Sequence, residues 1–226
     1  LVENLFAYFG YGSLVNLETL RTKYHSAHPA RLKGWRRHWQ SRTQIWSGGG
    51  AGEASGFNAN PALLSVHRHD DSVIDGMVIV DRLESLPSLD EREACYERVV
   101  ISPDELEFRQ FPEMFAQIPT ERVFVYVGIM AGPGTPPLLQ SYLDTVLAGF
   151  LVAHGREGVE RFIASTIGFD REIIADRFAP VYPRHVKPSR HDQEWFDQML
   201  AGAGVRYKPV PAPETGSMTG SAVPGR

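Results

Sequence analysis

Apolar and polar positions along the chain alternate with two different periods, and the change between them divides it. Leu5-Phe6-Ala7-Tyr8-Phe9 is an unbroken apolar and aromatic run that suits a buried strand. Ala30 to Trp46 reads as two strands, with Trp35, Trp39 and Trp46 inward and Arg31, Lys33, Arg36, Arg37 and Arg42 in water. Ala62–His67 and Val73–Val80 read as two more, joined by a turn through His67-Arg68-His69-Asp70-Asp71. Tyr96–Ile101 and Arg122–Met130 complete the set. Between the early strands, Leu14 to Tyr24 has room for a short helix, and Ser85-Leu86-Pro87 opens a helical turn. After Pro136 the period lengthens. Leu138, Leu139, Tyr142, Leu143, Val146, Leu147 and Phe150 recur at three- and four-residue intervals as one helical face, which Gly155 ends. A second helix is expected over Glu157–Thr166, an extended stretch over Asp176–Arg184, and a last helix capped by Asp192 and running to Leu200. Strands first and helices afterwards indicate an α+β domain on a small, mostly antiparallel β-barrel or strongly curled sheet. The expected domain is residues 1–207, helical from about 135, followed by a disordered Pro/Gly/Ser/Thr-rich tail from Lys208 to Arg226.

Composition narrows the classes. The 226 residues are 42% hydrophobic and carry a net charge of −4, so no general attraction to nucleic acid or anionic membrane is expected. No apolar run approaches the roughly 20 residues that cross a bilayer, and Glu3 with no basic n-region gives no signal-peptide pattern. The single cysteine, Cys95, rules out an intrachain disulfide and fits a cytoplasmic protein. Three motifs carry only weak chemistry. The basic and aromatic residues of 30–46 suit single-stranded nucleic acid, but an ordinary strand explains them. Gly48 to Gly56 lacks the spacing of a dinucleotide loop. His67-Arg68-His69-Asp70-Asp71 lacks the ligand spacing of a metallo-hydrolase, so no metal or cofactor is expected.

Two stretches carry more. Phe9-Gly10-Tyr11-Gly12-Ser13-Leu14 ends a strand in a glycine-bounded turn, where consecutive backbone N–H groups can cradle an anion and Ser13 adds a hydroxyl. Its plain alternative is an ordinary connection. Leu89-Asp90-Glu91-Arg92-Glu93-Ala94-Cys95-Tyr96 gathers three acids, whose plain reading is surface residues complementing the start of a helix dipole.

Together the two stretches resemble the gamma-glutamylcyclotransferase superfamily, with its ChaC-like glutathione-degrading branch. Its members pair an early Y-G-S loop with a later L-D-x-x-E segment, and the resemblance reaches Gln140-Ser141-Tyr142-Leu143. It implies a barrel with the pocket at one mouth and a metal-free intramolecular aminolysis releasing 5-oxoproline from a small gamma-glutamyl substrate. It implies Glu93 as general base and then acid, the backbone of Tyr11, Gly12, Ser13 and Leu14 as the carboxylate cradle, and Tyr96 and Tyr142 as orienting aromatics. Partial burial raising the Glu93 pKa would suit work at neutral pH. Where relatives carry glycine after the glutamate this chain has Ala94-Cys95, which affects the leaving-group side. Two rivals remain: a non-catalytic module binding an amino-acid-like metabolite, and an amidohydrolase using water.

Overall fold

The computed structural model describes residues 4–20, 23–41, 61–129 and 134–209. Arg42, Trp46, the Gly48–Gly56 loop and the tail from 210 onward lie outside them. The strands are β1 (Leu5–Gly10), β2 (Ser26–Gln40), β3 (Leu63–Arg82), β4 (Tyr96–Val100), β5 (Leu106–Phe108), β6 (Val123–Gly128), β7 (Leu138–Leu139), β8 (Glu172–Ile174) and β9 (Arg206–Lys208). The helices are α1 (Leu86–Arg92), α2 (Gln140–Ser165) and α3 (Arg190–Gly202).

Six strands form one mixed sheet in the order β4-β6-β1-β3-β2-β5. Only β1 with β6 is parallel, Ala7 opposite Val123; the other pairings are antiparallel. Among the described residues the sheet is open, with β4 and β5 unpaired with each other at its two edges, so the barrel that the resemblance implies is not confirmed. All six residues of β1 are buried, as its unbroken apolar run required.

Several expected elements differ. The two strands foreseen at Ala62–His67 and Val73–Val80 are halves of β3, both paired with β2. The register shifts where Lys33 faces Val73 and Trp35 faces Arg68. Four residues, His69 to Ser72, thus stand opposite Gly34 alone, whose φ of +74° glycine accommodates. His67 to Asp71 therefore lies at a mid-strand bulge rather than a hairpin tip. Ala30–Gln40 is one strand with Ser26–Pro29, and the second strand expected after it, to Trp46, lies outside the described residues. Trp35 and Trp39 point inward as expected, so neither ring offers a face for stacking bases. Arg37 is inward too, in step with them at period two, fully buried with its guanidinium 5.0 and 4.5 Å from the rings of Phe150 and Phe162. Its Nη2 donates to the Asp75 carbonyl at 2.6 Å.

The helix expected over Leu14–Tyr24 is instead two short 3-10 turns, Ser13–Val15 and Leu17–Thr19, separated by extended Asn16. Asn16 accepts from the Glu18 N–H, a local bond that competes with helix continuation. The long helix starts at Gln140, since Leu138 and Leu139 form β7 beside β8. As the sequence indicated, it breaks at Gly155, with φ 69° and ψ −170°. Ser189, not Asp192, caps α3 by accepting from the Asp192 N–H, and the helix continues to Gly202. Lys208 pairs in β9 instead of belonging to a tail. Among the described residues no helix is long and apolar enough to cross a membrane.

Candidate active site

β1 stops at Gly10 while its neighbours β3 and β6 run on past it. They meet through the Gly128 N–H, which donates to Ser65 Oγ at 2.9 Å. The turn from Tyr11 to Val15 fills the fork they leave. Buried Leu14 and Val15 anchor it, and Asn16 Nδ2 ties it to the Thr145 carbonyl of α2 at 2.9 Å. Val15 and Asn16 return their N–H groups to Gly12 and Ser13 at 3.0 and 3.1 Å. Ser13 and Leu14 begin the turn, so their N–H groups have no acceptor within it, the usual situation at a helical start.

Gly12 and Gly10 both avoid positive φ, and each allows a close approach of neighbouring atoms. A Cβ on Gly12 would lie 3.1 Å from the Tyr142 hydroxyl and 3.2 Å from Leu64 Cδ1.

A cavity of about 30 Å³ opens against this turn. Tyr11, Gly12, Ser13, Leu14, Glu93, Tyr96 and Tyr142, seven residues separated by up to 131 positions, line it together with Leu64 and Tyr126. Glu93 follows α1 directly, with φ −100° and ψ 28°, its N–H on Leu89 O and its carbonyl accepting from the Tyr96 N–H at 2.8 Å. That tight turn sets Glu93 and Tyr96 side by side.

The dipole reading of the acids fails. α1 begins at Leu86 and has no acid in its first turn; Asp90 and Glu91 fall near its end, where the dipole disfavours them. Specific partners hold Asp90 instead. It accepts from Tyr126 Oη at 2.6 Å and from Arg98 Nη1 at 2.7 Å. Arg92 Nε donates to Glu93 Oε1 at 3.0 Å, Nη1 to Thr19 O at 2.9 Å and Nη2 to Thr19 Oγ1 at 3.0 Å. Thr19 Oγ1 in turn donates to Ser13 O at 3.0 Å. One chain of bonds thus couples Glu93 to the glycine turn.

The tyrosines are fixed donors. Tyr11 Oη donates to Tyr126 O at 2.6 Å and Tyr96 Oη to Leu64 O at 2.9 Å. Burial pushes the Tyr11 phenol well above its ordinary range, helped by the nearby Tyr142 and Glu93. Burial, then the bond to Asp90, does the same to Tyr126. With their protons committed, Tyr96 and Tyr126 act toward the cavity as hydrogen-bond acceptors. Tyr142 packs edge-on against Trp39 and Tyr182 at 5.8 and 4.9 Å between centroids.

No family model matches the sequence. No curated protein matches it either. Solved structures do. One described as a gamma-glutamyl cyclotransferase aligns over 71% of this chain and 88% of its own, at TM-score 0.51 and 17% identity. The human uncharacterized protein loc79017 aligns over 86% of this chain and 99% of its own, at TM-score 0.50 and 14% identity. The fold is that of the gamma-glutamyl cyclotransferases.

On this cyclotransferase fold three cavity features went unread in the sequence. Tyr126 looked like one more strand residue; only its parallel register beside Phe9 brings it next to Tyr11. Leu64 arrives through the β2–β3 pairing. Arg92 was visible inside the L-D-E-R-E segment, but nothing local indicates that it reaches Thr19. His67, by contrast, sits away from the cavity, its Nδ1 3.0 Å from that of His38. Among the described residues no three His, Cys, Asp or Glu side chains converge as a metal site.

Proposed function

We propose that this chain is a gamma-glutamyl cyclotransferase-type enzyme, releasing 5-oxoproline from a gamma-glutamyl peptide or amine. The observation that carries the proposal is the gathering of the Glu93 carboxylate and the Ser13–Leu14 donor turn around one cavity on a fold of this kind. In the proposed reaction the substrate's α-carboxylate rests on the N–H groups of Ser13 and Leu14. Its α-ammonium faces Glu93 and the acceptor oxygens of Tyr96 and Tyr126. Glu93 takes one proton from that ammonium, and the freed amine attacks the γ-carbonyl carbon of the same molecule. The bond to the leaving nitrogen breaks as Glu93 returns its proton there, and the ring nitrogen gives up its remaining extra proton, through the same carboxylate, to the departed amine, so the products are the neutral lactam and an ammonium. Because nucleophile and electrophile are already tethered, positioning supplies much of the rate. No metal or cofactor takes part in this scheme.

The cavity of about 30 Å³ is small beside the roughly 300–1,000 Å³ of small-molecule sites, so the reading requires its wall to open around a glutamyl group. Purified protein incubated with a panel of gamma-glutamyl compounds tests the reading. 5-Oxoproline supports it, free glutamate identifies an amidohydrolase, and binding without turnover identifies a sensor module.

A further inference from the structure

Arg92, next to Glu93 but not on the wall of the first cavity, borders a second and larger one, of about 420 Å³, which Glu93 does not line. Its wall draws on five parts of the chain: Tyr8 from β1, Leu20 after the second 3-10 turn, Asp81 from β3, Ser85 and Glu91 around α1, and Arg184 from the segment before α3. Tyr8 and Asp81 lie on one face of the sheet, since Asp81 is directly opposite Phe6 and side chains alternate with period two.

Three polar groups here have hydrogen-bonding capacity that no described residue fills. Asp81 is 4% exposed, and both bonds it accepts, from Arg82 N at 2.7 Å and Ser85 Oγ at 3.2 Å, fall on Oδ1. Its Oδ2 has no hydrogen-bond partner among the described residues. Tyr8 is 2% exposed, and its hydroxyl has none among them either. Arg184 Nε is buried and unpartnered, and its guanidinium forms no ion pair among the described residues. Of these, Arg184 Nε is withdrawn from water without a partner, which is costly; the other two leave polar oxygens open to a ligand in the cavity. The charges also differ in sign across the cavity. A simple anion would meet Asp81 and Glu91, a simple cation Arg92 and Arg184; a molecule with one charge of each sign satisfies both walls.

We propose that this cavity binds a zwitterion of the amino-acid class, an α-amino acid or short peptide, with its carboxylate on Arg184 and its ammonium on Asp81 and the Tyr8 hydroxyl. The volume lies within the roughly 300–1,000 Å³ of small-molecule sites, which leaves room for a side chain or second residue. An amine released from a gamma-glutamyl amino acid or peptide belongs to this class; that source for the ligand rests on the function proposed above, whereas the binding chemistry does not.

The test is calorimetric titration of the full chain with L-alanine and alanylglycine, beside L-alaninamide, which lacks the carboxylate, and N-acetyl-L-alanine, which lacks the ammonium. The zwitterions are expected to bind saturably, and each singly charged analogue about tenfold or more weakly, since each forfeits one charge-assisted contact. Arg184→Gln should weaken alanylglycine by a similar factor while leaving alaninamide unchanged, with a thermal melt reporting that the variant folds. Equal binding of zwitterions and analogues, no saturable binding at all, or an Arg184→Gln protein that binds alanylglycine like the parent would each overturn the inference. Assaying 5-oxoproline release on the same preparations separates the two proposals. Zwitterion binding without turnover counts against the enzyme and for the cavity; turnover without zwitterion binding does the reverse.

Discussion

Replacing Arg92 with Met keeps length and apolar bulk but removes every bond that couples α1 to the glycine turn. Three contacts disappear: one to the Glu93 carboxylate and two to Thr19, all with side chains of Arg92 and Glu93 only 11% and 13% exposed. A hydrogen bond is worth about 0.5–1.5 kcal/mol net, and about 1.5–3 kcal/mol when one partner is charged. The guanidinium charges all three, but the residual exposure and partial rehydration of Thr19 and Glu93 pull the sum down. A loss of about 2–4 kcal/mol of stability is expected. For a chain of this size each kcal/mol moves Tm by about 2–4 °C, so the midpoint should fall by roughly 5–15 °C. Differential scanning calorimetry reads the shift. The same variant should lose turnover in kcat more than in KM, because Glu93 is no longer steered. A melting point within a degree of the parent would refute the coupling, and a normal kcat beside a large drop in Tm would show that Arg92 serves stability alone.

Further outcomes are expected. Glu93→Gln should keep the fold and lose at least about 100-fold in kcat, as removal of a general acid–base group does; near-parental release of 5-oxoproline would remove Glu93 from the role. Gly12→Ala should impair turnover strongly and Tm little, because the new methyl meets Tyr142 Oη and Leu64 Cδ1 at 3.1 and 3.2 Å; a variant with parental KM would show that the cavity can give way there. Turnover should survive exhaustive chelation, and recovery only on adding a divalent metal would contradict the proposed scheme. Stability should fall as pH rises past about 10, where free tyrosines ionise. Tyr8, Tyr11, Tyr126 and Tyr207 are all raised, chiefly by burial, so the unfolded chain loses those protons first. Arg37, pushed down to about 9 by burial, and Arg171, lowered by burial as well, oppose this as two groups against four. A denaturation midpoint that holds or rises from pH 9 to pH 11 would contradict that balance.

Features governed by neighbours in sequence were legible there. The β1 run, the break at Gly155 and the turn bearing Glu93 follow from apolar continuity, glycine and a helix start at Leu86-Pro87. Features set by partners far along the chain were not. Nothing local in Val73–Val80 reveals that it continues the strand of Ala62–His67 through a bulge, and sheet closure depends on edges that periodicity does not describe. Asp90 looked like an ordinary surface acid, yet it binds Tyr126, 36 residues away. Arg37 broke the expectation of solvated cations because period two places it between the two tryptophans on the inner face, and a helix more than a hundred residues later supplies its rings. The gathering of the seven cavity residues depends on the same distant pairings, which the motifs signalled only through family resemblance.

The fork that holds the glycine turn has a consequence for how the chain acquires its cavity. Tyr11 is fastened to Tyr126 and Asn16 to Thr145, contacts that close loops of 115 and 129 residues. Closing loops of that length is entropically costly and tends to slow folding. During synthesis the turn emerges well before the partners that shape it, which follow 115 and 129 residues later. A nascent chain ending before β6 can pair β1 with β3 but cannot form the other side of the fork. The cavity is therefore a late product of folding, and a signal from Tyr11 reports completion of the long-range sheet more directly than any measure of helix content.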